Sequence, residues 1–410
     1  MPESVGGSLE LGSHEVGHRP TCLVATLGDA SQLQRVARMI HVFNAHGYEV
    51  DLLGLTPERP LPVRKTIVLG EDPRARSRRT KWMAQARRAL ATLSVLPNSL
   101  ERYLARRWKP QDDRAWQHSL SYDVVVIENV DLFPVIQAAQ CCNRSYWISE
   151  LRDFDWKTQG LNPQERLRIL GDRTLFRAFL PRSSEVITVS QDQEQELFQR
   201  LALGSRVIRS LPNHRNIAPS PVQEHRIALV YHGAIARGRS SHLMIQAMKH
   251  LDMRFTLDLF VPSSVAAPRY LRTLQKAAEF DERIRFHEGL NYSELLEVTS
   301  RFDLGLALFP PTTTSLKGAL PNKFFEYIQA RLGVVVGPNS EMSDYVRRYK
   351  FGVVTDGFGA KDVAAALNAL TVDDISEFKH RADAASPELC FENEEVEYKS
   401  MMEAIRVQRK

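Results

Sequence analysis

The sequence predicts an α/β protein of two Rossmann-like domains, each a doubly wound parallel sheet, facing across a cleft. Three observations carry that expectation. Short all-apolar runs such as Val124-Val-Val-Ile127 and Val334-Val-Val336 alternate with stretches of helical period, as strands do when crossover helices bury both their faces. At 410 residues the chain is too long for one ordinary core, and two units of roughly 190 residues fit it better. Pro, Asn and Ser gather between Pro212 and Pro221, the composition of a linker.

The resulting division is a tail without period over residues 1–19, a first domain over 20–211 and a linker over 212–225, then a second domain over 226–390 and a terminal helix over 391–410. No apolar run reaches the roughly 18 to 20 residues that cross a bilayer, and Met1-Pro-Glu-Ser-Val-Gly-Gly7 lacks a signal core, so a cytoplasmic location is expected. Cys22, Cys141, Cys142 and Cys390 have no metal-ligand spacing and read as reduced thiols, so neither a metal nor a disulfide is expected.

In the first domain, Thr21 to Leu27 reads as a buried strand, Gly28-Asp29-Ala-Ser31 as its turn, and Val36, Ile40 and Phe43 as the apolar side of a helix closed by His46-Gly47. The strand Tyr48 to Leu55 completes a βαβ unit, whose turn lies at the ligand edge of such sheets. Gly28 belongs to no G-x-G-x-x-G pattern, so no dinucleotide site is expected. Further strands end in Glu128-Asn129 and in Glu150-Leu-Arg152-Asp153, placing polar groups at the same edge. A local ion cluster of Glu150, Arg152 and Asp153 is the alternative there. After a helix from Pro163 to Phe179, Ser190 suits the N-cap of the next helix, and Val207 to Leu211 reads as the strand that follows it.

Residues 74–118 interrupt this domain as a basic insertion. From Arg74 to Lys109, eleven Arg and Lys residues, Arg88 among them, are opposed by Glu101 alone. Trp82, Ala86, Ala89, Leu90 and Leu93 recur at helical spacing beside them, with Tyr103 and Trp108 further on. Such a helix reads either as a surface for an anionic membrane or as a solvated basic face whose apolar stripe packs inward. A nucleic-acid partner is not expected, because the aromatics are widely spaced and no recognisable module is present.

The second domain opens with the strand Ile227 to His232 and the loop Gly233-Ala-Ile-Ala-Arg237-Gly-Arg-Ser240. Alone this loop reads as carrying surface arginines but, combined with the Pro321 helix of the same domain, it suits a diphosphate through its glycine turn and arginines. Its densest chemistry is Leu320-Pro-Asn-Lys-Phe-Phe-Glu-Tyr327, a helix start followed by Gly333 and the strand Val334 to Val336. The helix N-terminus favours anions. Glu326, a turn and a half along, cannot share a phosphate but can accept the hydroxyls of a ribose. By spacing alone, Lys323 and Glu326 are equally an exposed i, i+3 ion pair.

This last motif resembles the donor-binding segment of GT-B glycosyltransferases of family 4, which transfer sugars from nucleotide diphosphates with retention of configuration. The resemblance extends over most of the chain. In that family two glutamates eight positions apart line the donor site; Glu326 matches the second and Gly318 stands where the first would be. Arg237-Gly238 matches a basic residue before a glycine, and Ala234 replaces a second arginine. Asp29 and Arg35-Val36 resemble the family's opening. Glu128-Asn129 occupies the place of a histidine-aspartate pair, and Arg152 replaces the histidine of an Asp-x-His-Glu pattern.

The resemblance implies a GT-B architecture in which Gly233, Arg237, Gly289, Asn322, Lys323 and Glu326 bind a nucleotide diphosphate sugar, with Arg237, Lys323 and Glu326 catalytic. It implies acceptor-side roles for Gly28, Asp29, Glu128, Asn129, Glu150, Arg152 and Asp153, and neither metal nor cofactor. The acceptor would be a glycan, lipid-linked or small molecule, such as a cell-surface polysaccharide precursor, met at the cytoplasmic membrane face through residues 74–109. The last helix would cross back to the first domain. A nucleotide-sugar epimerase and a non-catalytic partner subunit are the alternatives on the same fold.

Overall fold

The computed structural model describes residues 19–70, 78–94, 98–112, 116, 121–139, 142, 145–151, 154–156, 161–235, 241–262 and 268–408. Among them two wholly parallel sheets form. The first contains β1 (Thr21–Ala25), β2 (Glu49–Gly54), β3 (Lys65–Val68), β4 (Val124–Ile127), β5 (Tyr146–Glu150), β6 (Glu185–Thr188) and β7 (Arg206–Val207), in the order β3-β2-β1-β4-β5-β6-β7. The second contains β8 (Ile227–His232), β9 (Phe255–Val261), β10 (Ile284–Glu288), β11 (Leu304–Ala307), β12 (Gly333–Val336) and β13 (Gly352–Val354), in the order β10-β9-β8-β11-β12-β13. This is the two-Rossmann architecture of a GT-B protein.

Strand direction explains the apolar runs. Leu23 and Ala25 of β1 enter a core on one face of the first sheet, while Cys22 and Val24 enter another on the opposite face. Leu229 and Val230 of β8 divide in the same way between the two cores of the second sheet. Burying each such Leu, Val or Ile stabilises by about 1.5–3 kcal/mol, so both faces demand apolar side chains and the period-2 alternation vanishes.

Helices cover these faces. In the first domain they include α1 (Gln34–Ala45), α2 (Arg78–Leu93), α3 (Ser99–Arg107), α4 (Pro163–Phe179) and α5 (Gln191–Leu201). Asn162 caps α4, and Ser190 caps α5 by accepting from the Gln193 N–H at 3.2 Å. In the second they include α6 (His242–Met248), α7 (Asn322–Gln329), α8 (Ser340–Tyr349) and α9 (Val372–Ala385). The last helix, α10 (Phe391–Gln408), packs Phe391, Tyr398, Met401, Met402 and Ile405 into the core that Cys22 and Val24 share, so a chain end of the second half helps to close the first sheet. Glu394 anchors it: its carboxylate accepts from the backbone N–H and the guanidinium of Arg209, which burial would otherwise disfavour.

Two expectations about elements are corrected. The strand expected from Val207 to Leu211 stops at Val207, because Glu394 binds the backbone at Arg209. The short edge strand β3 was not expected, and it has no all-apolar run to reveal it.

The basic insertion is also more structural than its charge suggests. Arg88 is no surface cation: it pairs with Asp131 and Asp172, tying α2 to α4. Trp108 is buried in the first core beside Leu100 and Leu104, with the Arg107 guanidinium 4.3 Å from its ring centroid. Met83, Leu90 and Leu93 of α2 stay exposed, Leu90 at 70% and Leu93 at 62%, with Arg87 exposed beside them. No helix among the described residues is long and apolar enough to cross a membrane.

Candidate active site

In each sheet the strand order reverses beside the first strand: β1 lies between β2 and β4, and β8 between β9 and β11. Crossover helices leave such a point toward opposite faces, opening a crevice at the strands' carboxyl ends. Thr26, Leu27, Glu128 and Asn129 lie at the first crevice, and His232, Gly233 and Phe309 at the second.

On the second-domain side, β8 ends at His232 and the chain turns at Gly233, whose φ of +101° belongs to glycine. Arg237 lies outside the described residues. After β11, Pro321 stands at the N-cap of α7, and every side chain from Lys323 to Gln329 is buried. The solvated ion-pair alternative for Lys323 and Glu326 therefore fails. The Lys323 ammonium lies 3.5 Å from the Tyr231 ring centroid and 5.6 Å from that of Phe309, an aromatic seat that holds a cation away from bulk water.

One turn on, Glu326 Oε1 accepts from Gln34 Nε2 at 3.2 Å, and Oε2 lies 3.5 Å from His232 Nε2. The other end of the Gln34 carboxamide accepts from Asn322 Nδ2 at 3.2 Å. A first-domain side chain thus bridges Asn322, at the start of α7, and Glu326, one turn along it. Burial pushes the Glu326 carboxyl up from its ordinary value, against the opposing pull of the Gln34 hydrogen bond, Lys323 and Arg38. Burial, and then the Lys323 charge, drive His232 well below the ordinary imidazole value, so its ring is neutral at pH 7.

Gly289 leaves room for a neighbouring loop: a Cβ there would stand 2.4 Å from Pro262 Cγ and 2.6 Å from its Cα. That close approach accounts for the glycine without a ligand.

On the first-domain side, the Gly28 N–H donates to Thr26 Oγ1 at 3.2 Å. Asp29 organises the loop, with Oδ1 accepting from the Ser31 N–H at 2.9 Å and Oδ2 from the Glu58 N–H at 3.1 Å. Glu128 is buried and accepts from the Thr26 hydroxyl, while Asn129 Oδ1 accepts from the Leu27 N–H at 2.6 Å. Glu150 is committed to a buried ion pair with Arg35, whose Nη1 also donates to the Ile208 carbonyl at 2.7 Å. Arg152 and Asp153 lie outside the described residues.

The structure thus gathers Gly233, Asn322, Lys323 and Glu326 around His232 and Gln34. Two of these were not singled out from the sequence. A polar residue closing an apolar strand was the available signal for His232. For Gln34 there was none, since its role depends on a partner across the cleft.

Gly318 has a local cause. A Cβ at this position would stand 2.7 Å from Asp192 Cβ at the start of α5, so the first domain fills the space where a side chain would begin. The Asp192 N–H donates to Glu341 Oε1 at 2.6 Å, and burial pushes that carboxyl up to about 7. Arg59 to Asn291 at 2.9 Å and the Ser315 N–H to Asp155 at 3.0 Å add further bridges, so the cleft is closed. Among the described residues no cluster of three or more His, Cys, Asp or Glu side chains is placed to hold a metal.

No family model and no curated protein matches the sequence. Solved structures do match over nearly the whole chain. Sucrose-phosphate synthase from Thermosynechococcus elongatus superposes with a TM-score of 0.69 at 15% identity, covering 95% of this chain and all of that one. WaaG, a glycosyltransferase involved in lipopolysaccharide biosynthesis, gives 0.62 at 14% identity, covering 92% of this chain and 99% of its own. Anabaena HepE in complex with UDP-glucose gives 0.65 at 13% identity, covering 94% of this chain and all of that one. Two parallel sheets with reversed order at their first strands, closed by a returning terminal helix, give this chain the GT-B glycosyltransferase fold.

Proposed function

We propose that the chain is a retaining glycosyltransferase that moves a sugar from a nucleotide diphosphate sugar to an acceptor hydroxyl. One observation carries the reading: Lys323 and Glu326 are buried within a single turn of α7, at the carboxyl edge of the second sheet and against its switch point. A cation and a carboxylate are costly to hold there without a ligand-related purpose. The structural neighbour bound to UDP-glucose supports the choice of ligand.

In this reading Glu326 takes hydroxyls of the nucleoside, and the α7 N-terminus with Asn322 and Lys323 takes the diphosphate. Arg237 joins Lys323 in stabilising the leaving group as the anomeric carbon–oxygen bond breaks. The acceptor oxygen attacks from the face the diphosphate leaves, and its proton passes to a departing phosphate oxygen or to a base near Glu128 or Asp153. Gly28, Asp29 and Asn129 shape the acceptor half. Closure holds the two substrates together, converting an encounter into a positioned reaction. The chemistry uses neither metal nor cofactor.

The acceptor is a glycan, lipid-linked or small molecule, approached at the cytoplasmic membrane face. Exposed Met83, Leu90 and Leu93 beside Arg87 support a bilayer contact through residues 74–109, each nearby basic residue adding about 1 kcal/mol on an anionic surface. Flotation with anionic vesicles at rising salt tests this, and no binding at low salt removes it.

Calorimetry with UDP, GDP, ADP and dTDP sugars tests the donor site. One nucleotide binding in the micromolar range, and weakened at least tenfold by Glu326→Ala and Arg237→Ala, is the expected result. A folded protein that binds none of them would instead be a non-catalytic partner subunit.

A further inference from the structure

His232 is 6% exposed, and its Nε2 makes no hydrogen bond among the described residues. The ring is nevertheless held firmly. The His232 backbone N–H donates to Tyr327 Oη at 3.4 Å, and the Tyr327 ring meets the imidazole edge-on at a centroid distance of 4.9 Å and an angle of 74°. A buried polar atom without a partner costs about 1–3 kcal/mol, which a core histidine ordinarily avoids by bonding to a carbonyl. Here the atom faces Glu326 Oε2 at 3.5 Å, at the carboxyl end of β8.

The chemistry of the surroundings selects what completes it. An anion beside Nε2 would be repelled by Glu326. A cation would be repelled by Lys323, whose Nζ lies only 3.5 Å from where a Gly233 Cβ would stand. A hydroxyl satisfies both neighbours at once, accepting from Nε2–H and donating to the carboxylate, since it is a donor and an acceptor in one atom.

We propose that His232 is a donor-binding residue that, with Glu326, grips one ribose hydroxyl of the nucleotide and so sets the preference for a ribonucleotide over a deoxyribonucleotide. The inference rests on the donor-site reading above and adds to it a second residue and a discrimination. Discrimination by a site built to hydrogen-bond a hydroxyl is strong, because the analogue lacking it leaves buried polar groups unpaired.

The experiment measures affinities of the intact protein for UDP, GDP and ADP, and then for the 2′-deoxy and 3′-deoxy forms of whichever binds best. Wild type is expected to bind at least one deoxy form about tenfold or more weakly. In His232→Ala that ratio should fall to about twofold, with His232→Gln retaining part of it and melting temperature reporting that each variant folds. In protein labelled with 15N-histidine, the His232 Nε2 resonance should also move on adding the ribonucleotide and not on adding the discriminated deoxy form. This second readout keeps the test open should the alanine variant unfold. Equal affinity for all three forms, an unchanged ratio in folded His232→Ala, or an unmoved resonance overturns the role of His232 and leaves the donor site standing. If no nucleoside diphosphate binds wild type, the donor-site reading fails and this inference fails with it.

Discussion

Gln34, at the start of α1, donates its carboxamide N–H to Glu326 of α7 at 3.2 Å across 292 positions of sequence, and the same amide accepts from Asn322. Two domains are thereby joined at the carboxylate assigned to the donor. Gln34→Glu would set a second carboxyl against a buried one. Two carboxylates at this distance do not both ionise readily, so the variant should open at pH 8 and close again near pH 5, where a proton is shared. Small-angle scattering should record a larger radius of gyration at pH 8 only. Equal radii at both pH values would show that the contact has no hold on closure.

Glu341 gives wild-type closure its own pH dependence. Its carboxyl is pushed up to about 7 in the closed form, first by burial and also by the nearby Asp192 charge, while hydrogen bonds from the Asp192 and Gln191 backbone and from Ser190 pull it down. Freed in an open form it would return toward the ordinary 4.5. The closed form then binds the extra proton, so closure strengthens as pH falls through about 7 toward 4.5 and weakens above that window. Domain-to-domain energy transfer should rise between pH 8.5 and pH 5.5, and Glu341→Gln should flatten the curve.

Gly318→Glu should not restore a family-like donor site. The new side chain would begin 2.7 Å from Asp192 Cβ, and forcing atoms into such a contact costs about 1–3 kcal/mol or prevents closure. Adding Asp192→Gly, which removes the Cβ that the new side chain meets, should recover much of the loss. A double mutant no better than the single one would place the obstruction elsewhere.

Arg88→Ala should destabilise the first domain by about 3–5 kcal/mol, because it strands Asp131 and leaves Asp172 to Arg168 alone in a poorly solvated site. Burial already pushes Asp172 up to about 6, so protonation relieves part of the penalty and the loss should be smaller at pH 5 than at pH 8. Each of the five tryptophans precedes residue 157, so their fluorescence during urea unfolding follows the first domain. A midpoint shift independent of pH would contradict the account.

Much of the fold was legible locally. Val124 to Ile127, Ile227 to His232 and Val334 to Val336 announce doubly buried strands by apolarity alone, and Pro163 to Phe179 and Ser190 mark helix limits by their caps. Elements lacking such marks escaped. The edge strand Lys65–Val68 is only half buried, and the end of β7 depends on where Glu394 reaches the backbone.

The site was legible in part for the same reason. Lys323 and Glu326 could be placed together because a helix sets residues three apart on one side. Which of them would be buried could not. Charge counting likewise grouped Arg88 with the surface cations and Glu150 with the cleft, although Asp131 and Asp172 claim the first and Arg35 the second.

By itself, then, the sequence determined the two-sheet architecture, the helix that carries Asn322, Lys323 and Glu326, and the glycine turn that follows His232. These follow from period, apolarity and backbone preference, which act over a few residues. Only the tertiary structure decided that Gln34 binds Glu326, that Asp192 occupies the space beside Gly318, and that His232 faces the same carboxylate with its Nε2 unsatisfied. Those relations depend on how one sheet is set against the other and on which partner reaches a buried polar group first, and neither is written in the spacing of residues along the chain.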